Sequence, residues 1–137
     1  AEMVSLLDLP PTVLAAGGVQ PPETMRGRSL QQLASGTPTD WPQEVFIQIS
    51  ESQVGRALRT DRWTYSVSSP GSQGWKQADS ETYVEEFLYD NQADPHQKQN
   101  LVNDPTLSAI RGKLRERLMQ RMREAGEKPA EIKPAGA

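Results

Sequence analysis

The spacing of apolar residues changes once along this chain, and that change restricts the possible folds more than any other feature. Between Glu44 and Tyr89, apolar side chains alternate with polar ones in short segments, which is typical of half-buried strands. Further along, apolar residues recur at spacings of three and four: Leu107, Ile110, Leu114, Leu118, Met122 and Ala125. That spacing places them on one side of a helix of several turns. The two patterns together predict an α+β domain.

Four segments carry the strand pattern: one that begins at Glu44, and then Gln53–Thr60, Trp63–Val67 and Thr82–Tyr89. The tight connection at Asp61 favours antiparallel pairing, and the Pro and Gly residues of Ser68–Ser80 predict a polar loop. We therefore expect a small four-stranded antiparallel sheet packed by the long C-terminal helix.

Proline and glycine interrupt the chain before the first strand. A short helix is predicted across Ser5–Ala16, with Ser5 as its cap and Asp8 placed for a capping box. Gly17 and Gly18 would end it. A helix this short is marginal by itself, so it needs another surface to pack on.

These observations predict three regions. Residues 1–43 form a short helix and a Pro/Gly-rich linker that would pack on a domain outside this sequence. Residues 44–126 form the sheet and the long helix. Residues 127–137 have little apolar content beyond Ile132, so we expect a loose tail there.

Length and composition exclude several classes of protein. The 137 residues suit one ordinary domain. A formal net charge of −3 argues against a general nucleic-acid binder and against a cationic membrane protein. The chain has no cysteine, so disulfides, zinc–thiolate sites and a cysteine nucleophile are excluded. It also has no long apolar run. Charge and hydropathy together predict a soluble protein that has neither a membrane nor a nucleic acid as partner, and its compartment is unknown.

No pattern in the sequence predicts a catalytic or metal site. The single histidine, His96, lies in a polar segment beside Pro95 and is interpreted as a solvated loop residue. The stretch Asp90–Asp94 resembles the start of a calcium loop, but a proline stands where that loop requires glycine. The arginines and lysines of the long helix are interrupted by glutamates and are interpreted as a solvated face. We therefore expect no catalytic residue, no metal ligand and no cofactor within this chain.

Three motifs in a fixed order carry a family resemblance. The first is V-S-L-L-D-L-P-P-T-V-L at Val4–Leu14, followed by G-R-S-L at Gly27–Leu30. The second is G-R-A-L-R-T-D-R-W-T-Y at Gly55–Tyr65, and the third is L-Y-D-x-x-x-D-P-x-x-x-x-N-L at Leu88–Leu101. The set resembles the C-terminal part of type I, formylglycine-dependent sulfatases of the alkaline-phosphatase-like superfamily. Thr64 stands where that family usually has lysine, and Asn91 where it usually has leucine.

The resemblance implies the C-terminal part of a sulfuric ester hydrolase, with a four-stranded antiparallel sheet and a long helix. It also implies that the parent enzyme uses a formylglycine, made from Cys or Ser in C/S-x-P/A-x-R, and a divalent cation, usually calcium. This chain lacks that motif, so the nucleophile and the metal ligands would lie in an N-terminal sulfatase domain upstream of Ala1. We expect the 137-residue chain alone to hydrolyse no sulfate ester.

In the intact enzyme, the polar connection Gln48–Gln53 could form one wall of the substrate cleft. Glu51 and Gln53 are candidate groups for selecting a sulfated small molecule or sugar, although a solvent-facing strand connection would look the same. Arg56 and Arg59 are either charges on the surface of the sheet or sulfate-binding groups. Two other functions stay open: a noncatalytic structural or interaction module, and the tail of a related phosphodiester or phosphonate hydrolase.

Overall fold

The computed structural model describes residues 2–36 and 40–136. Its backbone divides into two units, an N-terminal unit over residues 1–45 and a C-terminal unit over residues 46–137. Residues 37–39 of the predicted linker lie outside the described residues.

The N-terminal unit contains the predicted short helix. It begins as a 3-10 turn at Leu6–Asp8 and continues as helix α1, Leu9–Ala16. Ser5 and Asp8 form the expected capping box. Pro10 and Pro11 lie in the first turn of α1. Backbone amides in the first turn make no hydrogen bond within the helix, so proline, which has no amide hydrogen, is tolerated there. One short helix, α2 at Gln31–Ala34, lies within the predicted linker.

The sheet has five strands in the order of the chain. They are β1 (Glu44–Ser50), β2 (Val54–Thr60), β3 (Trp63–Ser68), β4 (Thr82–Asp90) and β5 (Glu131–Lys133). Strands β2 and β3 pair antiparallel, and so do β3 and β4, with an irregularity between Ser66 and Val67. These pairings confirm the antiparallel arrangement that the alternation predicts.

The fifth strand corrects the expectations of a four-stranded sheet and of a loose tail. Strand β5 pairs parallel with the start of β4, placing Ile132 opposite Tyr83. Ile132 is buried among the core side chains. A three-residue strand is too short to show a period in the sequence, so its one apolar residue gave no signal.

The long helix packs on this sheet. It begins as a 3-10 turn at Pro105–Leu107, where the Asp104 side chain accepts a hydrogen bond from the Thr106 amide at 2.8 Å. Helix α3 then spans Ser108–Glu124. Its buried residues, Leu114, Leu118 and Met122, belong to the predicted stripe. They meet core residues from the sheet, which are Val54, Leu58, Tyr65, Val67, Tyr83, Leu88 and Ile132.

In the parts of the chain that the structure describes, no helix combines the length and the apolar character needed to cross a membrane.

Candidate functional site

The predicted selection residues lie in the turn between β1 and β2. Glu51 is exposed and Gln53 is half-buried. Gly74, from the loop between β3 and β4, lies directly on this turn. A Cβ atom at Gly74 would stand 2.5 Å from the Glu51 carbonyl oxygen, so only glycine allows so close an approach. The turn and the loop therefore form one continuous surface.

The loop between β3 and β4, residues 69–81, is held at its base and at its tip. The Ser69 hydroxyl donates to the Ser80 hydroxyl at 2.9 Å, which closes the base. At the tip, the Gln73 amide donates to the Gln77 side-chain oxygen at 3.0 Å, and the Lys76 amide donates to the Gln73 carbonyl at 2.8 Å. We call this segment the 69–81 loop.

The tip of the 69–81 loop carries an exposed aromatic side chain. Trp75 is 72% exposed. The Lys76 ammonium lies 4.4 Å from the centroid of its ring, within the range of a cation–π contact. Neither residue was singled out from the sequence, because a lone tryptophan in a polar loop has no periodic neighbours. A large apolar residue between loop residues was the one available signal.

Arg56 corrects the two interpretations drawn from the sequence. It is only 3% exposed, so it neither lies on the surface of the sheet nor can reach a sulfate in solvent. Its Nε donates to the Glu127 carboxylate at 2.7 Å, and its remaining donors reach three backbone carbonyls, those of Ile49, Gly55 and Ala78. Arg56 therefore joins β1, β2, the 69–81 loop and the segment after α3.

The Glu127 side chain completes this buried ion pair. It is nearly enclosed and also accepts a hydrogen bond from the Gln48 amide group in β1. A bond between charged groups in a site with little water is stronger than one at the surface, provided that both charges stay paired. The pair thus fixes the base of the surface formed by the turn and the 69–81 loop.

Arg59 and His96, which the sequence also brought into question, lie outside the turn and the 69–81 loop. Arg59 is exposed and donates to the Thr64 hydroxyl at 3.2 Å across the β2–β3 pair. His96 is exposed in the segment that follows β4.

A second buried polar cluster lies between the sheet and α3. The Tyr65 hydroxyl donates to Glu85 Oε1 at 2.9 Å, and Glu85 Oε2 lies 3.5 Å from Arg111 Nε. Burial, together with the neighbouring Glu85 carboxylate, raises the pKa of the Tyr65 phenol far above its ordinary value. Tyr65 therefore stays protonated and acts as a hydrogen-bond donor that joins β3 to β4, while Glu85 and Arg111 connect β4 to α3.

The third sequence motif closes the chain after β4. Asp90 Oδ1 accepts from the amides of Gln92 and Ala93, and its Oδ2 accepts from the Arg62 guanidinium at 2.8 Å. This bond to Arg62 holds the pKa of the Asp90 carboxyl below its usual value. Asn100 accepts from the Leu88 amide at 3.0 Å and so returns the segment to β4.

The first motif performs a similar task in the N-terminal unit. Asp8 accepts from the amides of Ser5 and Arg28 at 2.7 and 2.8 Å. The Thr12 hydroxyl accepts from the Leu30 amide at 2.9 Å. Gly27 lies so close to Leu7 that a Cβ there would stand 1.8 Å from the Leu7 carbonyl oxygen. The two parts of the motif, Val4–Leu14 and Gly27–Leu30, therefore bind each other through hydrogen bonds and one close backbone contact.

These carboxylates do not fit the calcium ion that the resemblance implies for the parent enzyme. Both oxygens of Asp8 and of Asp90 already accept hydrogen bonds from the chain itself. Calcium takes six to eight oxygen ligands, often from several carboxylates. Within residues 2–36 and 40–136, no group of three or more His, Cys, Asp and Glu side chains could hold a metal ion.

Two depressions lie on the described surface, one in each unit. One, of about 550 Å³, lies within the N-terminal unit and is lined by Pro11, Pro21, Pro22, Met25 and Arg28 among others. The other, of about 390 Å³, lies beside Glu127 and Lys128 in the C-terminal unit and is lined by Asp79, Ser80 and Glu81. Neither contains Glu51, Gln53 or Trp75.

A known protein family matches most of this sequence. The model of the family described as N-sulphoglucosamine sulphohydrolase, C-terminal, matches residues 1–124. An ulvan-active sulfatase of Formosa agariphila is 23% identical over 127 residues, covering 88% of this chain and 22% of that protein.

Two solved structures show the same fold. The first is of a putative sulfatase from Bacteroides thetaiotaomicron, with a TM-score of 0.68 at 25% identity over 88% of this chain and 25% of that chain. The second is of the phosphonate monoester hydrolase of Agrobacterium radiobacter, with a TM-score of 0.61 at 20% identity over 90% of this chain and 25% of that chain. The sequence described here thus spans about a quarter of the length of these relatives.

Proposed function

Since the chain belongs to the family of N-sulphoglucosamine sulphohydrolase C-terminal domains, we propose that it acts within a sulfuric ester hydrolase whose reacting groups lie elsewhere in the protein. One observation carries this proposal: the family match extends over residues 1–124, which include all three motifs. The contacts of Asp8, Asp90 and Asn100 support it, because each of these motif residues makes hydrogen bonds that connect separate segments of the chain.

The proposed partner is an N-terminal sulfatase domain. That domain would supply the formylglycine and the divalent cation that the family resemblance implies. The division of labour follows from the chemistry, because cleavage of a sulfate ester needs an activated nucleophile and cationic stabilisation of the transferring group.

The N-terminal unit carries a surface suited to that partner. Leu6 is 83% exposed and Val13 is 70% exposed, and Leu7 between them is exposed as well. Val4 and Leu9 are exposed too, so this apolar cluster extends over residues 4–13. Contiguous exposed apolar patches mark interaction sites. We propose that residues 1–43 pack on the N-terminal sulfatase domain through this apolar cluster.

The experiment compares the full-length protein that contains this chain with the 137-residue chain alone. We expect the full-length protein to hydrolyse 4-nitrophenyl sulfate and the isolated chain to show no turnover. Turnover by the isolated chain, or none by the full-length protein on aryl and saccharide sulfates, would refute the proposal.

Glu51 and Gln53 are proposed to take part in substrate selection. The exposure of Glu51 and the fixed contact between its backbone and Gly74 support this role, since a selecting group must be both accessible and held in place. Glu51→Ala in the full-length protein should change the ratio of kcat/KM values between differently sulfated saccharides. Glu116→Ala, at an exposed position of α3, is the matched control. An unchanged ratio in Glu51→Ala would assign this turn to a purely structural connection.

A second candidate is a phosphonate or phosphodiester hydrolase, because the Agrobacterium radiobacter phosphonate monoester hydrolase shares the fold at a TM-score of 0.61. Parallel assays with 4-nitrophenyl phenylphosphonate and 4-nitrophenyl sulfate separate the two chemistries. A noncatalytic module is the third, and absence of turnover on every ester would favour it.

A further inference from the structure

We propose that Trp75 and Lys76 form a binding subsite for a sulfated saccharide, with the indole stacking on a sugar ring and the ammonium pairing with a sulfate group. This inference rests on the proposed function, and it names the substrate class that the surface around Glu51 would recognise.

The exposure of Trp75 is the first observation. A tryptophan side chain can bury a large apolar area, yet this one leaves 72% of its surface in water and adds little to the core. The C–H face of a pyranose ring is apolar and flat, so an indole that is open on one face offers it a matching surface. The Lys76 ammonium lies 4.4 Å from the ring centroid, and the 72% exposure of Trp75 leaves most of its surface open to a ligand.

Isolated exposed hydrophobic residues are common, so exposure alone would carry little weight. The second observation is that the 69–81 loop is held rigidly. Its base is closed by the bond between Ser69 and Ser80, and the segment that returns from the tip is fixed by the bond from buried Arg56 to the Ala78 carbonyl at 2.8 Å. The tip is closed by the bond between Gln73 and Gln77. A ring presented on such a loop loses little conformational freedom when a ligand binds.

Position is the third observation. Gly74, the residue before Trp75, stands on the backbone of Glu51 and Gln53. An aromatic surface, a cation and a polar turn therefore adjoin one another, which is the combination that a sulfated sugar requires: stacking, charge pairing and hydrogen bonding to hydroxyl groups.

Charge favours a sulfated ligand over a neutral one. Lys76 donates through its backbone amide to Gln73, but its ammonium group extends over the indole at the surface, where it meets solvent. A sulfate on a stacked ring would approach this ammonium from the solvent side. A neutral sugar would gain the stacking contact alone.

The test uses the full-length protein with sulfated tetrasaccharides from ulvan and from heparin, and with 4-nitrophenyl sulfate as a substrate that has no sugar ring. In Trp75→Ala, we expect the ratio of kcat/KM for the preferred tetrasaccharide to that for the aryl sulfate to fall by about tenfold, mainly through KM. Trp75→Phe should recover part of this loss, and Lys76→Ala should weaken binding most at low salt.

Phe87→Leu is the matched control, because Phe87 is also a partly exposed aromatic residue of the same unit but lies in β4. It should leave the ratio at the wild-type value. A ratio unchanged in Trp75→Ala, or equal losses on both substrates together with a lowered Tm, would overturn the subsite and assign Trp75 to a contact between domains.

Calorimetric titration of the same tetrasaccharides gives a readout that needs no turnover. If the wild-type protein hydrolyses no sulfate ester yet binds them in a Trp75-dependent way, the proposed function fails and the subsite stands. If it hydrolyses aryl sulfate but binds none of them, or if Trp75→Ala binds them as the wild type does, the subsite fails and the proposed function stands. Absence of both activity and binding refutes both.

Discussion

Replacement of Arg56 by methionine should destabilise the C-terminal unit more than any change at its surface. Methionine keeps much of the length of the arginine side chain and fits an apolar environment, but it removes the guanidinium group. The wild-type group makes a 2.7 Å bond to Glu127 and bonds to the carbonyls of Ile49, Gly55 and Ala78. Arg56→Met therefore removes all four bonds while leaving their acceptors in place.

The expected loss of unfolding free energy follows from the Glu127 carboxylate, which the substitution leaves without its partner. The Glu127 side chain is only 9% exposed, so without its partner it becomes a nearly buried carboxylate held by Gln48 alone. Removal of one member of a buried ion pair typically costs about 3–5 kcal/mol of unfolding free energy. The double variant Arg56→Met with Glu127→Leu should recover much of that loss, because it removes the uncompensated charge as well.

Urea denaturation followed by circular dichroism measures these differences. Arg59→Met is the matched control: Arg59 lies on the same strand but is exposed and makes one bond to Thr64. Its effect should stay within about 0.5 kcal/mol. If Arg56→Met cost no more than Arg59→Met, the buried pair would contribute nothing to stability and the reasoning would be wrong.

Two further predictions concern the other motifs. Gly27→Ala should destabilise the N-terminal unit by about 1–3 kcal/mol, because its Cβ would overlap the Leu7 carbonyl, whereas Gly112→Ala in open space on α3 should stabilise by about 0.5–1 kcal/mol; equal effects in hydrogen exchange would contradict this. The bond from Arg62 lowers the pKa of Asp90 in the folded protein. The stability that this bond provides is therefore complete above the unfolded pKa of about 3.9, and it is lost as the pH falls through the lower folded pKa. Asp90→Asn should therefore flatten the acid limb of the stability profile, and an unchanged limb would argue against it.

The sequence predicted those elements whose patterns repeat several times. Strands β1–β4 alternate over enough residues to show a period of two, and α3 carries its stripe over several turns. The same reasoning missed β5, whose three residues contain one apolar side chain. Its pairing with β4 depends on where α3 delivers the chain, which no local pattern records.

The candidate site was predicted only in part. The turn with Glu51 and Gln53 was identified as a polar connection, and its role in substrate selection stays a prediction. Arg56 was interpreted as a surface or sulfate-binding charge, because a charged residue in a strand normally faces solvent. Its burial depends on Glu127, which lies far along the chain. Trp75 was missed because the contact that places it, Gly74 on Glu51, is made through space.

The hydrogen bonds of the first and third motifs also bear on how members of this family are classified. A signature built from Asp8, Asp90 and Asn100 records a chain that closes its own turns correctly. These bonds are made within the chain and stabilise its turns whatever reacting groups the rest of the protein contains. Genome surveys that identify sulfatases by this region alone therefore count a fold, and the proposed division between this chain and the reacting groups makes that count separate from a count of active enzymes.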